Sequence, residues 1–386
     1  MPDSAMVHEQ ETLILQTLEQ FLERDVRPYV MELEHNDIWP EEIVHKMAEL
    51  GLFGAIIDEE YGGLGLNTEE EARLMFEVGK AAPAFRSVFG TTIGIGSQGI
   101  VMDGTDEQKS KYLPKLAAGE IVGSFCLTEP NAGSDAKSLQ TTAILDGNEY
   151  VLNGTKRYIT NAPRAGLYTV YARTNPEDKG AGAVSAILVE AGTKGQSTGK
   201  IDKKMGQKGT QTSDLVFEDC RVPATQLLGL EEGMGFKTAM KVLDRGRLHL
   251  AAACVGMARR LIDDALAYAM ERKQFGQPIA NFQLVQAMLA DSETELYAAR
   301  TMTLDACKRR DAGEKTTRAA ACAKYYATEM VGRVADRAVQ IHGGAGYIAE
   351  YKVERFYRDV RLFRLYEGTS QIQQLIIARD MIKSAS

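Results

Sequence analysis

Residues 141–160 read TTAILDGNEYVLNGTKRYIT. Apolar and β-branched residues cluster in short runs here, and Asp146-Gly147-Asn148 and Asn153-Gly154-Thr155 carry hairpin-type turn chemistry. The same grammar continues on both sides, in Ile121–Leu127, Leu167–Ala172, Val184–Val189 and Ser213–Phe217, with a turn signal at Asn175-Pro176-Glu177. Several short strands at this spacing predict an antiparallel barrel or sandwich over residues 121–226.

The flanks change period. Residues 9–33 place Leu13, Leu15, Leu18, Phe21, Leu22 and Val26 at helical spacing. Pro40 with Glu41 and Glu42 opens a further helix, because proline and acids suit a first turn. Beyond Pro223 the only proline is Pro278, so long helices can run unbroken. Apolar stripes over 233–272, 281–311, 316–341 and 371–383 predict four of them. The expectation is a multidomain α+β chain. It has an N-terminal helical domain over 1–120, a middle antiparallel β-barrel domain over 121–226 and a C-terminal four-helix-bundle domain over 227–386.

Composition narrows the function. The chain has 386 residues, enough for two or three domains at roughly 100–200 residues each. Its net charge is −8, from 45 basic and 53 acidic side chains, which argues against sequence-independent nucleic-acid binding. No apolar run is long enough for a membrane span, and MPDSAMVHEQETL lacks the marks of a signal or transit peptide, so a cytoplasmic location is expected. Five scattered cysteines form no CxxC pair and five histidines show no HExxH spacing, so neither a disulfide framework nor a metal site is expected. The dinucleotide fingerprint GxGxxG after a strand is absent.

Five short motifs could carry chemistry, and each has a plain alternative. FCLTEPNAGSD (125–135) leaves a strand and is good turn chemistry. YEGTSQ (366–371) sets Glu367 ahead of Thr369 and Ser370, which can cap the last helix; a solvated acid would look the same. HGGAGY (342–347) admits close approach of a ligand to backbone, or is a helix C-cap. Arg272-Lys273 could bind phosphate, or complement a helix dipole. Arg245-Gly246-Arg247 reads equally as a solvated helix face.

Taken together, FCLTEPNAGSD, RYITNA, ERKQFG, QIHGGAGY and YEGTSQIQ, in this order, resemble the acyl-CoA dehydrogenase family over essentially the whole chain. The resemblance implies FAD bound between the middle and C-terminal domains, and conversion of an acyl-CoA to a trans-2-enoyl-CoA. It makes Glu367 the catalytic base that takes the α proton while the β hydrogen leaves as hydride to flavin N5. Phe125, Leu127, Thr128, Tyr158 and Thr160 match positions around the flavin ring; many relatives carry Trp where Tyr158 stands. Arg272, Gln274, Phe275, Phe282, Gln283, Gln340, Gly343 and Gly344 match residues that reach the FAD of a neighbouring subunit, and Thr369 and Gln371 face its adenosine end. Ser134, Asp244, Arg247 and Gly368 match substrate-contacting positions. Some relatives carry the base at the position of Gly246, which cannot serve. A shared FAD implies a homodimer at least, with a dimer of dimers usual, and an electron-transferring flavoprotein as electron acceptor.

Phe85-Arg86-Ser87 is similar to a segment of the glutaryl-CoA dehydrogenase branch, where an arginine holds a distal carboxylate. A buried arginine without an anion is costly, so a dicarboxylyl tail held by Arg86 would supply one. Pairing with a local acid such as Glu77, or exposure, are the alternatives. That branch carries a glutamate seven residues earlier, where this chain has Gly79. Two other functions share the pattern: an acyl-CoA oxidase, which releases peroxide, and a flavin-free acyl-CoA-binding scaffold, which would be colourless.

Overall fold

The computed structural model describes residues 4–385, with side chains from residue 13 onward; residues 1–3 of the expected first domain and Ser386 of the last lie outside the described residues. Seven helices come first: α1 Ser4–Phe21, α2 Val30–His35, α3 Glu41–Glu49, α4 Thr68–Ala81, α5 Pro83–Thr91, α6 Gln98–Asp103 and α7 Asp106–Ala117. Seven strands follow: β1 Gly123–Cys126, β2 Thr142–Asp146, β3 Glu149–Thr160, β4 Leu167–Arg173, β5 Val184–Glu190, β6 Gln196–Thr198 and β7 Thr212–Pro223. Then come α8 Gly235–Glu271, the two-residue strands β8 Lys273–Gln274 and β9 Gln277–Pro278, and the helices α9 Gln283–Asp311, α10 Thr317–His342, α11 Lys352–Val360 and α12 Ser370–Ala385.

The sheet runs in the order β1-β4-β2-β3-β7-β6, with β5 on β4. It is mixed, whereas an antiparallel sheet was expected: β1 and β2 both pair parallel to β4. Asp146-Gly147 does turn the β2–β3 hairpin. Asn153-Gly154 does not turn; β3 continues through it to Thr160, and the register against β7 shifts there and again between Lys156 and Ile159. Asn153 stabilises the first bulge by exchanging two hydrogen bonds with Asp219 on β7, at 3.1 and 2.9 Å. A turn dipeptide inside a long strand thus becomes a bulge, because both neighbours are held by the ladder. The second bulge lies beside Tyr158 and is the one that serves the site.

The two helical regions share one core. Phe21, Phe53, Met75 and Phe89 from the first region pack with Leu250, Met257, Val331 and Phe363 from the last. α4 and α8 touch backbone to backbone at Gly79, where a Cβ would lie 2.5 Å from the Ala253 carbonyl oxygen. The sheet keeps its own core of Tyr150, Leu152, Val170, Ile187, Leu215 and Phe217. A third cluster, including Leu113, Leu116, Tyr171, Leu188 and Ala239, joins it to α7 and α8. Helix α11 has no counterpart in the sequence reading, because its charged residues obscure the buried stripe of Val353, Phe356 and Val360.

One buried ion pair fastens the loop after β1 to β3. Lys156, fully buried, donates to Glu129 Oε1 at 2.7 Å and to the Leu127 carbonyl at 3.3 Å. Glu129 also accepts the backbone N–H groups of Gln140 and Thr141. Removing one partner strands a buried charge, at a cost of roughly 3–5 kcal/mol. Lys156→Met is therefore expected to lower the melting temperature markedly, with Lys156→Met/Glu129→Gln recovering part of the loss in a calorimetric scan.

Candidate active site

Four segments converge on one carboxylate. The turn after the 361–364 helical stretch presents Glu367; α5 presents Arg86; the middle of α8 presents Gly246 and Arg247; α10 presents Lys324. Glu367 sits at φ +54 and Gly368 at φ +86. A non-glycine residue in the left-handed region is strained, so the surroundings must hold it. Lys324 Nζ donates to the Gly368 carbonyl at 2.7 Å, and Gln373 Nε2 reaches both the Gly368 and Glu367 carbonyls, at 3.0 and 3.2 Å. Thr369 Oγ1 caps α12 by accepting the Ile372 N–H at 3.3 Å. Ser370, expected to share that cap, instead donates to Glu329 at 2.6 Å.

The Glu367 side chain is 8% exposed, and its Oε1 lies 3.7 Å from Arg86 Nη2. Its Oε2 is buried without a hydrogen-bond partner. Gly246 explains the room: a Cβ there would lie 2.7 Å from Oε2. Burial pushes the Glu367 carboxyl above its ordinary value, while Arg86, Lys324 and Arg247 pull the other way. The same burial draws Lys324 down to about 8. A carboxylate with a raised pKa, one free oxygen and fixed geometry is equipped to accept a proton from a ligand.

Glu367 stands where two cavities meet. One, of about 730 Å³, is lined by Arg86, Phe125, Leu127, Thr128, Ser134, Tyr158, Thr160, Arg247, Glu367 and Gly368, and its walls continue with Phe236, Met240, Leu243, Ile372, Leu375 and Ile376. The other, of about 610 Å³, shares Thr128, Ser134, Tyr158, Thr160, Glu367 and Gly368, and adds Thr369 with the cations Lys203, Lys204, Arg358 and Arg361. Both arms combine apolar walls with cations: Arg86, Lys137, Arg247 and Arg379 line the first, and Lys203, Lys204, Arg358 and Arg361 the second. Tyr158 stands at their junction at φ +58, 60% exposed, with the Arg157 guanidinium 4.9 Å from its ring centre. An aromatic held exposed on a strained bulge, beside an unpartnered carboxylate oxygen, fits a flat ring system at that junction, with exposed Lys203 and Arg361 in the second arm for its phosphates. The residues present therefore fit FAD.

Several expected site residues lie elsewhere. Asp244 does not line either cavity: it pairs with Arg247 and accepts from Thr317 Oγ1 at 2.8 Å, so it orients Arg247. Gln371 also lies outside both cavities. Arg272, Gln274, Phe275, Phe282 and Gln283 sit on and after the β8–β9 hairpin at the far end of α8. At 1.5 Å per residue that end is about 40 Å from Gly246. Gln340, Gly343 and Gly344 are exposed at the end of α10. None of these lines the cavities around Glu367 of its own chain.

Of the alternatives for Arg86, exposure and pairing with Glu77 both fail, and the acid it faces is Glu367. Arg86 is buried, and donates Nε–H to His249 Nε2 at 3.1 Å and Nη1–H to Tyr366 Oη at 3.3 Å. Glu77, the suggested local partner, is held by Lys80. Gly79 is where α4 crosses α8, so a glutamate has no room there. Lys324, Gln373 and His249 were not picked out from sequence; a lone Lys or His inside an alanine-rich stripe was the available signal.

Family models for the N-terminal, middle and C-terminal domains of acyl-CoA dehydrogenase match residues 8–120, 124–220 and 233–382. An acryloyl-CoA reductase (NADH) of Anaerotignum propionicum is 45% identical over 99% of this chain and 96% of its own length. A subunit of the caffeyl-CoA reductase–Etf complex of Acetobacterium woodii is 41% identical over 97% of this chain and 99% of its own. The crystal structure of butyryl-CoA dehydrogenase from Megasphaera elsdenii superposes with a TM-score of 0.94 at 38% identity, covering 96% of this chain and 98% of that one. A Gly246→Val substitution is expected to displace Glu367 and lower kcat by on the order of 100-fold, with flavin content unchanged, by steady-state kinetics and absorbance.

Proposed function

The chain belongs to the acyl-CoA dehydrogenase family, whose cofactor is FAD, and on that footing we propose that Glu367 moves the α proton of an acyl-CoA thioester. The observation that carries this is the free, buried Oε2 of Glu367 at the junction of the two cavities.

The first arm, with its apolar stretch of Phe236, Met240, Leu243, Ile372 and Leu375, suits an acyl thioester and its pantetheine, with exposed Lys137 and Arg379 on its lining for the phosphates of CoA. Thr128, Tyr158 and Thr160 would hold the flavin ring, and the exposed Lys203 and Arg361 its phosphates, whereas Arg358 is held by Glu354 and Glu34 and Lys204 by the Thr210 carbonyl. Ser134 and Gly368, which line both arms, would contact the thioester. When bound, FAD supplies the two-electron acceptor for the β hydrogen. Glu367 takes the α proton onto Oε2 and becomes a neutral acid, while Arg86 keeps its bonds to Tyr366 and His249. The low-dielectric pocket makes the neutral form comfortable and the ionised form basic. Run backwards, the same acid returns its proton to the α carbon of an enoyl-CoA. Relatives named as reductases and as dehydrogenases fit one reversible site.

We propose further that electrons leave through an electron-transferring flavoprotein, in keeping with the Etf complex named for one relative. Peroxide release in air without any acceptor would instead mark an oxidase. Phe275, 93% exposed and packed edge-on to Phe282, and Leu284, 81% exposed, are large apolar groups that a second copy would cover. With Arg272 and Gln274 beside them, they are proposed to complete the FAD site of that copy. Phe275→Asp is expected to give smaller particles by light scattering and to lose FAD on gel filtration.

Arg86 on the cavity wall favours one narrower reading, an acyl group ending in a carboxylate, for which it would turn part of its charge from Glu367 to the tail. Anaerobic bleaching across a panel of acyl-CoAs tests both levels. Glu367→Gln is expected to slow bleaching by roughly 10³-fold or more; unimpaired bleaching removes the assignment of the base. A higher kcat/KM for butyryl- or octanoyl-CoA than for glutaryl- or adipyl-CoA removes the dicarboxylyl reading alone. Because only ionised Glu367 accepts a proton, kcat/KM should fall as pH drops through its raised pKa.

A further inference from the structure

Behind Glu367 runs a buried line of charged and polar side chains. Arg245 Nη2 lies 2.9 Å from Glu71 Oε2, and Glu71 Oε1 lies 2.8 Å from His249 Nδ1. His249 Nε2 accepts the Arg86 Nε–H at 3.1 Å, and Arg86 Nη2 faces Glu367 Oε1. All five side chains are less than a tenth exposed. They come from α4, α5, α8 and the Glu367 turn, so the line crosses the shared helical core.

We propose that His249 and Glu71 are positioning residues for the Glu367 carboxylate. Resting on the assignment of Glu367 as the base, the line aims Arg86 at Oε1 and leaves Oε2 for the substrate. The hydrogen-bond directions are forced. Arg86 can only donate, so His249 Nε2 must be the bare nitrogen. Nδ1 then carries the proton and donates to Glu71, whose charge is balanced by Arg245. His249 is therefore neutral, and the line alternates cation, anion, neutral ring, cation, anion. Burial and the neighbouring Arg86 draw His249 down to about 4, which agrees with a neutral ring at working pH.

The packing shows how tightly the ring is placed. At Gly90 of α5, a Cβ would lie 2.9 Å from His249 Nε2 and 3.3 Å from Arg86 Nε. At Gly94 it would lie 3.4 Å from the imidazole. The helix thus leaves a seat for the imidazole between its own glycines. The remaining groups facing the two ends are also accounted for. Glu367 is faced by Arg247 from α8, Lys324 from α10 and the thiol of Cys254, pushed up to about 12 and so protonated. The Tyr366 phenol, its pKa raised by burial, faces Arg86 and Glu367, and Glu71 is faced by Arg310 and the Cys307 thiol from α9 as well as by Arg245.

A neutral ring exerts no net charge on Glu367, so the direct route by which replacing it alters Glu367 is through Arg86. The test uses the FAD-loaded enzyme as wild type, His249→Leu, His249→Gln and Gly90→Ala. The Glu367 carboxyl is titrated by infrared difference against Glu367→Gln, and kcat/KM is profiled against pH. In His249→Leu the guanidinium loses its anchor, so Glu367 should protonate at a higher pH than in wild type. The same change should give a roughly tenfold loss of kcat/KM on the acid limb, with little change above it. His249→Gln keeps an acceptor and should titrate close to wild type; Gly90→Ala should move toward His249→Leu. A Leu variant that only melts earlier, with Glu367 titrating as in wild type, overturns the proposal. Nitrogen NMR of wild-type His249 gives a check free of any variant: the neutral Nδ1–H tautomer at pH 7 is expected, and a cationic ring overturns the forced directions. If Glu367→Gln keeps full activity, it is the assignment of the base that fails, whereas the infrared titration still reads the link from His249 to Glu367.

Discussion

A carboxylate taken out of water needs an opposite charge close by, and Glu367 finds it in Arg86 at 3.7 Å. The distance matters as much as the presence. A tight bidentate pair would hold the carboxylate ionised and make it a weak base. No cation at all would leave it protonated. At this separation burial still outweighs the arginine, and the carboxyl stays above its ordinary value. Lys324 adds charge from the far side while spending its hydrogen bond on the Gly368 carbonyl. Arg86 therefore acts on the carboxylate, whereas Lys324 acts on it by charge and also bonds to the turn that carries it.

The rest of the fold can be understood as delivering those groups. α5 and α8 belong to sequence regions more than a hundred residues apart, yet share one core with α10. That core sets the Arg86, Gly246 and Lys324 side chains around one point. The sheet delivers the opposite wall. Its buried Lys156–Glu129 pair ties the loop bearing Leu127 and Thr128 to the bulged strand bearing Tyr158 and Thr160. Two layers with separate cores thus meet across a cleft, which is where a flat cofactor and a thioester can lie face to face.

Backbone strain follows the same map. Tyr158, Asn161, Gln207 and Glu367 all sit at positive φ. Asn161 Nδ2 donates to the Val88 carbonyl at 2.9 Å, and Gln207 bonds to Ser87 and Asp359. Strained residues thus tie the sheet and its loops to α5 and α11. At these four positions the strain is compensated by hydrogen bonds to neighbouring elements, while Asp37, Asp219, Leu230 and Phe275 take positive φ away from the site.

Much was legible in the chain alone. Period and proline placement gave the α, β, α order and the four long C-terminal helices, because these depend on local rules. Motif resemblance pointed to Glu367 and the flavin-side residues, since short stretches carry them intact. Asn153-Gly154 misled, because a ladder on both sides turns a hairpin dipeptide into a bulge. Arg86, His249 and Glu71 could not be joined from sequence. They lie up to 178 positions apart, and only the crossing of α4 and α5 over α8 brings them into hydrogen-bond range. Local sequence determines which elements form and which groups are available; the packing of distant helices decides which charge faces which, because burial and Coulomb energy depend on positions that the chain reaches only once folded.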